Sequence, residues 1–250
     1  MTYKTRIGIL IGFIALFLIT TPIVVTYTAG YRWNVKKNRL EKVGIIYVRS
    51  KPSNADLYLD GKPRPEKTPA RLRNLLPDTY KLTVGKSGYL SWTKILPVES
   101  ALTTFVEGVV LWKDSAPEKV AASPSAALTT EEVAGLNRSN PLKANADNLT
   151  FESDGFEIWV ESQTNGHETI TRLSNEITAI LPYATDTGWI LYETATEIHA
   201  IERDGRDVRN DVLLASGGNL DGLAVSSDGK TLYYFDNAGG TRALFKRALQ

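Results

Sequence analysis

The sequence predicts a mainly β protein with one N-terminal transmembrane helix, a small β-sandwich after it, and then an incomplete β-propeller-like repeat region of about three blades. Three observations carry this prediction. The stretch from Ile7 to Val25 contains no charged residue. Between Val43 and Trp112, apolar residues recur with period two in short runs divided by turn residues. Beyond residue 148, a block with an aspartate, a nearby glycine and an aromatic-rich run recurs three times. The resulting divisions are a short tail (1–6), an anchor (7–28), a basic juxtamembrane segment (29–42), the sandwich (43–112), a linker (113–148) and the repeats (149–250).

The apolar stretch "IGILIGFIALFLITTPIVV" would cover roughly 28 Å as a helix, close to the hydrocarbon thickness of a bilayer. Lys4 and Arg6 precede it, and Tyr27, Tyr31 and Trp33 follow it as amphipathic rings do at a headgroup boundary. A cleaved signal peptide is the rival reading. Its apolar core is ordinarily shorter, and "TYTAG" places Tyr27 where a small residue is wanted before a cut after Ala29.

Composition excludes several classes of chemistry. In 250 residues, 29 basic side chains balance 28 acidic ones, so the formal charge of +1 does not mark a nucleic-acid binder. Cysteine is absent, which removes disulfides, thiol catalysis and cysteine-ligated metal centres.

The period-two runs are "GIIYVRS", "ADLYLDG", "YKLTVGKSGY", "LSWTKILPV" and "TTFVEGVVLW". In "ADLYLDG", alternation places Ala55, Leu57 and Leu59 in a core, and Asp60-Gly61 supplies a tight turn. Trp92 is assigned to the core and Tyr80 to turn anchoring.

Here the residues carry a family resemblance. "VRSKPSNADLYLDGK", "TPARLRNLLPDTYKLTV" and "KSGYLSWTKILPV" resemble, in order, the signatures of a PEGA domain. These are a strand ending in Ser-x-Pro, a small residue before the Asp-Gly hairpin, Thr68-Pro69, Pro77 to Tyr80, and Gly88-Tyr89. Asp78 stands where the family generally has glycine, and aspartate accepts turn geometry better than most residues. The resemblance implies a surface or envelope domain and carries no catalytic residue.

One stretch departs from the family pattern. The loop from Lys62 to Lys67 has gained prolines and charges, and two readings of it stand. Lys62, Arg64, Glu66 and Lys67 form a contact patch for an anionic wall or surface polymer, with Pro63 and Pro65 keeping the chain extended, or the segment is a solvated hairpin connection. The resemblance supports the second.

Residues 113–148 are rich in Ala, Ser, Pro and Asn and read as a linker, with a short helix capped by Thr129 and Glu132. The repeats follow as "FESDGFEIWVES", "YATDTGWILYET" and "VSSDGKTLYYFD", with aspartates at 154, 186 and 228, each block trailed by another strand-like run. This rhythm resembles propeller blades, which close with four or more copies. An open arc leaning on the sandwich, closure through a second chain, and a shortened gene product each account for three copies, and the arc is preferred. A non-repeating β-sandwich is the alternative. The two β modules are expected to fold independently.

A search for chemistry returns decoys. Gly85-Lys86-Ser87 lacks the earlier glycine of a phosphate loop, since Tyr80 stands there. Ser87 lacks a nucleophile-elbow frame, and His167 and His199 lie far apart without ligand spacing and read as surface residues. The Asp-Gly pairs at 60, 154, 204, 221 and 228 read as turns rather than calcium loops. No catalytic, cofactor-binding or metal residue is assigned.

The expectation is a non-enzymatic, membrane-anchored envelope protein that binds cell wall, surface layer or a protein partner. The alternative is an accessory or remnant hydrolase-like propeller subunit. Topology is contested within the sequence: Arg32, Lys36, Lys37, Arg39 and Lys42 follow the span and by the positive-inside rule favour a cytoplasmic C-terminal part, whereas the signal-anchor layout and the resemblance favour an exterior one. The exterior reading is preferred.

Overall fold

A computed structural model describes residues 3–120, 136, 142–146, 148–162, 166–183 and 188–250. The helix expected around Thr129 and Glu132, and Asp186 of the second repeat, lie outside the described residues.

Helix α1 runs from Tyr3 to Thr28, and the part from Thr5 to Thr28 is long and apolar enough to cross a membrane. Its apolar side chains are exposed all round, with Phe13, Phe17 and Leu18 about two-thirds accessible. The hydroxyls of Thr20, Thr26 and Thr28 donate back to the carbonyls of Leu16, Pro22 and Val24, so the polar groups are satisfied within the helix, as an apolar surrounding demands. Gly30, at φ +85°, ends it in the left-handed conformation that glycine adopts without strain.

The basic segment that follows is a hairpin. Strand β1 (Tyr31–Asn34) pairs antiparallel with β2 (Arg39–Lys42). Its inner face is polar: Glu41 is buried and accepts hydrogen bonds from Asn34 Nδ2 and Arg39 Nε, both at 2.6 Å. The Asn34 contact, followed by Arg39 and Lys37, holds the Glu41 carboxyl below the usual range against its desolvation.

The sandwich has seven strands: β3 (Gly44–Lys51), β4 (Asp56–Leu59), β5 (Lys62–Lys67), β6 (Ala70–Leu75), β7 (Asp78–Gly85), β8 (Trp92–Val98) and β9 (Thr103–Val110). They form a three-stranded sheet ordered β6-β3-β9, in which β3 and β9 are parallel, and a four-stranded antiparallel sheet ordered β5-β4-β7-β8. Ala55, Leu57 and Leu59 face the core, as alternation requires, opposite Ile46, Val48 and Leu72. Asp60 (φ +51°) and Gly61 (φ +75°) both take positive φ, the geometry of a two-residue hairpin turn. The Tyr80 hydroxyl donates to the Leu76 carbonyl at 2.9 Å, which anchors the turn before β7.

Beyond the sandwich, the described residues form three four-stranded antiparallel sheets. Strand β10 (Glu118–Lys119) precedes the first of them in sequence. The first contains β11 (Lys143–Ala146), β12 (Leu149–Ser153), β13 (Glu157–Ser162) and β14 (Gly166–Arg172). The second contains β15 (Ile177–Pro182), β16 (Trp189–Thr194), β17 (Glu197–Glu202) and β18 (Asp211–Ser216). The third joins β19 (Leu220–Val225), β20 (Thr231–Asp236) and β21 (Ala243–Ala248), with β10 added beside β21 at its edge. The leading strands adjoin in succession, β11 against β15 and β15 against β19. Two of the repeat aspartates act as turn residues: Asp154 accepts from the Phe156 and Glu157 amides, and Asp228 from the Lys230 amide.

Residues 43–112, expected to fold independently of residues 149–250, share a core with part of them. One cluster of buried residues runs from Leu96 and Val98 of the sandwich to Leu191, Leu214 and Leu232 beyond it. At its centre Trp112 meets Tyr183 and Trp189 edge-on, at ring separations of 4.9 and 5.4 Å, and Trp189 Nε1 donates to the Gly108 carbonyl. Beside it, fully buried Lys94 lies 2.8 Å from Glu202 and donates to the Asp204 carbonyl at 2.6 Å, while Trp92 Nε1 donates to Glu202. Each module thus leaves a face, apolar with a buried charge, that the other covers.

Candidate functional site

Strand β5 is where the sequence placed its contact loop, and the structure corrects the loop to an edge strand. Its two prolines offer no amide to a neighbour, so the strand sits at the sheet margin beyond β4, where Tyr58 faces Pro63 and Leu57 faces Arg64. Alternation turns Arg64 and Glu66 partly inward and leaves Lys62, Pro63, Pro65 and Lys67 exposed.

Across the mouth of the sandwich, β6 reads "ARLRNL", with Ala70, Leu72 and Leu75 buried and Arg71 and Arg73 exposed. The two strand margins enclose a groove of about 670 Å³ walled by Arg64, Glu66, Lys67, Arg71 and Arg73. Three of the four expected contact residues therefore meet there, and Lys62 stands apart at the hairpin end of β5. Four cationic side chains face one acid, and Lys67 is drawn to another, Asp56, at 2.9 Å across exposed surface. Within the groove, Arg64 Nε and Glu66 Oε2 are buried without a hydrogen-bond partner among the described residues. An unpaired guanidinium donor among excess cations is suited to an oxyanion. Arg71 and Arg73 were legible in the alternation of β6, but only the pairing of β6 with β3 brings them opposite β5.

The groove continues onto an outer face. Arg71 lies over the Tyr47 ring at 5.8 Å, and Tyr47 meets exposed Phe105 edge-on at 5.9 Å. Arginine over a half-buried tyrosine next to exposed Phe105 offers charge and a flat apolar surface together.

The sandwich strands that build this groove lie within residues 43–109, which match the family model of the PEGA domain. This chain carries a PEGA domain. A search of curated proteins found no match to the chain. The PEGA domain thus supplies the basic groove, while the core described above ties it to the second and third sheets.

A second concave feature lies away from the PEGA domain, between β15, β16 and β19. It encloses about 380 Å³, lined by Thr178, Glu193, Asn219, Asp221 and Asn237 among others. Glu193 is 2% exposed; its Oε1 accepts from Thr178 at 3.0 Å, and its Oε2 lacks a partner of normal geometry among the described residues. Burial pushes its pKa up to about 7, with the Asp221 charge acting in the same direction and Thr178 and the Gly222 backbone in the other. Asp221 itself is exposed and paired with Arg242 at 2.8 Å.

His199 departs from the sequence reading as a surface residue. Its ring is largely covered, stacks on Tyr192 at 5.0 Å, and lies 2.9 Å from Asp211 and 3.3 Å from Glu197. Burial works against its charged form, yet hydrogen bonds and charge from Asp211 and Glu197 together raise its pKa. His167 sits beside Trp159 at 5.7 Å.

Proposed function

We propose that this is a non-enzymatic, membrane-anchored envelope protein whose PEGA domain engages an anionic polymer of the wall or surface layer through the groove between β5 and β6. In this reading α1 is the anchor, the C-terminal modules are extracytoplasmic, and the three adjoining sheets are propeller-like blades in an open arc that leans on the PEGA domain. The observation that supports it best is the groove itself, with Arg64, Lys67, Arg71 and Arg73 facing one acid and an unpartnered Arg64 donor. PEGA domains are typically surface modules, which favours the exterior side. A repeating phosphate or carboxylate would find several cations at once, and the nearby Tyr47 and Phe105 rings suit the apolar face of a sugar.

The full-length protein in detergent micelles tests this by calorimetric titration with a glycerol-phosphate oligomer, with neutral dextran as control. Binding should weaken with salt, because exposed charges are screened, and should fall about tenfold or more in an Arg71→Glu/Arg73→Glu variant. Unchanged affinity in that folded variant, or equal binding of dextran, refutes the reading.

A hydrolase-like accessory subunit is the second reading, and one observation favours it: Glu193 lines a cavity with a pKa suited to proton transfer near neutrality. The only other acid among the lining residues described is ion-paired Asp221.

A further inference from the structure

Where α1 leaves its apolar run, the hairpin β1–β2 folds beside it and leaves a groove of about 390 Å³. Pro22, Ile23 and Tyr27 of the helix form one wall, and Tyr31, Trp33 and Leu40 of the hairpin the other. Trp33 and Leu40 are cross-strand partners, so their side chains stand on one hairpin face, 58% and 47% exposed. The opposite face is already used, by buried Asn34 and Glu41.

A cation is fixed at this groove. The Arg32 guanidinium lies 3.6 Å from the centre of the Tyr27 ring, and its Nη1 donates to the carbonyls of Tyr27 and Tyr31, both at 2.8 Å. Those bonds engage one nitrogen of the fork and orient the rest, so little side-chain freedom remains to be lost on binding an anion. Exposed Lys42 stands opposite Tyr31 across the hairpin and adds a second positive charge.

From this juxtaposition we propose that the groove between α1 and the β1–β2 hairpin is a phospholipid site, with an acyl chain against Ile23, Trp33 and Leu40 and an anionic headgroup phosphate at Arg32. The site rests on the reading of α1 as a membrane span. An apolar groove continuous with such a span opens into the bilayer, and an arginine at its border meets the phosphate layer. The hairpin also reaches the PEGA domain, through Lys36 to Asp78 at 3.3 Å and Lys37 to the Pro77 carbonyl at 2.9 Å. A lipid held here would therefore fix the height of the PEGA domain above the membrane.

The full-length protein is reconstituted into nanodiscs of phosphatidylcholine with or without phosphatidylglycerol, using lipids brominated at the upper acyl carbons. Bromine should quench tryptophan emission in the native chain, and the quenched component should disappear in Trp33→Phe. Native mass spectrometry should show phosphatidylglycerol retained over phosphatidylcholine by at least about threefold, a preference lost in Arg32→Gln. Insertion into discs without quenching assignable to Trp33 overturns the site while leaving the span intact. Failure to enter discs overturns both. A lipid preference unchanged by Arg32→Gln, or abolished by excess inorganic phosphate, removes the headgroup assignment.

Discussion

Glu193 and His199 sit on neighbouring strands, β16 and β17, and burial disfavours the charged form of each. Glu193 titrates near 4.5 when free and near 7 in the fold, so between those values the folded chain holds more protons than the unfolded one. Stability should therefore fall as pH rises from about 4.5 to about 7 and then level off, by roughly 3 kcal/mol at ~1.4 kcal/mol per pH unit. His199 adds a slope of the same sign: its raised pKa stabilises the fold on the acid side, and that contribution is lost as pH rises through the folded value. Glu193→Gln keeps the shape and removes the charge, so urea unfolding at pH 8 should show a gain of roughly this size and at pH 5 almost none. A variant equally affected at both pH values would show that Glu193 is not ionising against burial.

At the scale of elements, β8 and β17 are coupled through one lysine. Alternation in "WTKILPV" puts Trp92, Lys94, Leu96 and Val98 on the buried face, and Lys94 is tolerated there because Glu202 and the Asp204 carbonyl receive its ammonium. Removing one member leaves the other charged and buried. Lys94→Met is expected to destabilise by ~3–5 kcal/mol, while Lys94→Met combined with Glu202→Leu should recover part of that loss, since an apolar pair can replace a buried ion pair but the Trp92 indole and Asn210 amide lose their acceptor. Denaturant midpoints for the two single variants and the double variant check this. Additive losses would mean that the pair does not couple the two strands. The hairpin β1–β2 works the same way on a smaller scale, satisfying buried Glu41 with Asn34 and Arg39 while Trp33 and Leu40 stand on its other face.

At the scale of the molecule, the shared core packs the PEGA domain against the second and third sheets, so the basic groove and that core lie on one packed body. The contested topology becomes measurable because the chain has no cysteine. Val208, 77% exposed, can be replaced by cysteine without disturbing a packed side chain. In intact cells a membrane-impermeant maleimide should label Val208→Cys to the same extent as after lysis. Labelling confined to lysed cells would put the modules inside and overturn the envelope role.

The sequence by itself determined the local features. Unbroken apolarity made α1, period-two alternation made the strands and put Ala55, Leu57 and Leu59 inside, and Asp60-Gly61, Asp154 and Asp228 set turns because their chemistry is local. It also offered Arg64, Glu66 and Lys67 as candidate contact residues, but as a loop, since nothing local shows which strand will accept β5 as its neighbour. Only the tertiary structure decided that Arg71 and Arg73 stand across the groove, that His199 is covered, and that Lys94 is buried. Each depends on partners far away in sequence, as Glu202 is from Lys94, and an alternating pattern tells which residues share a face without telling what that face will meet.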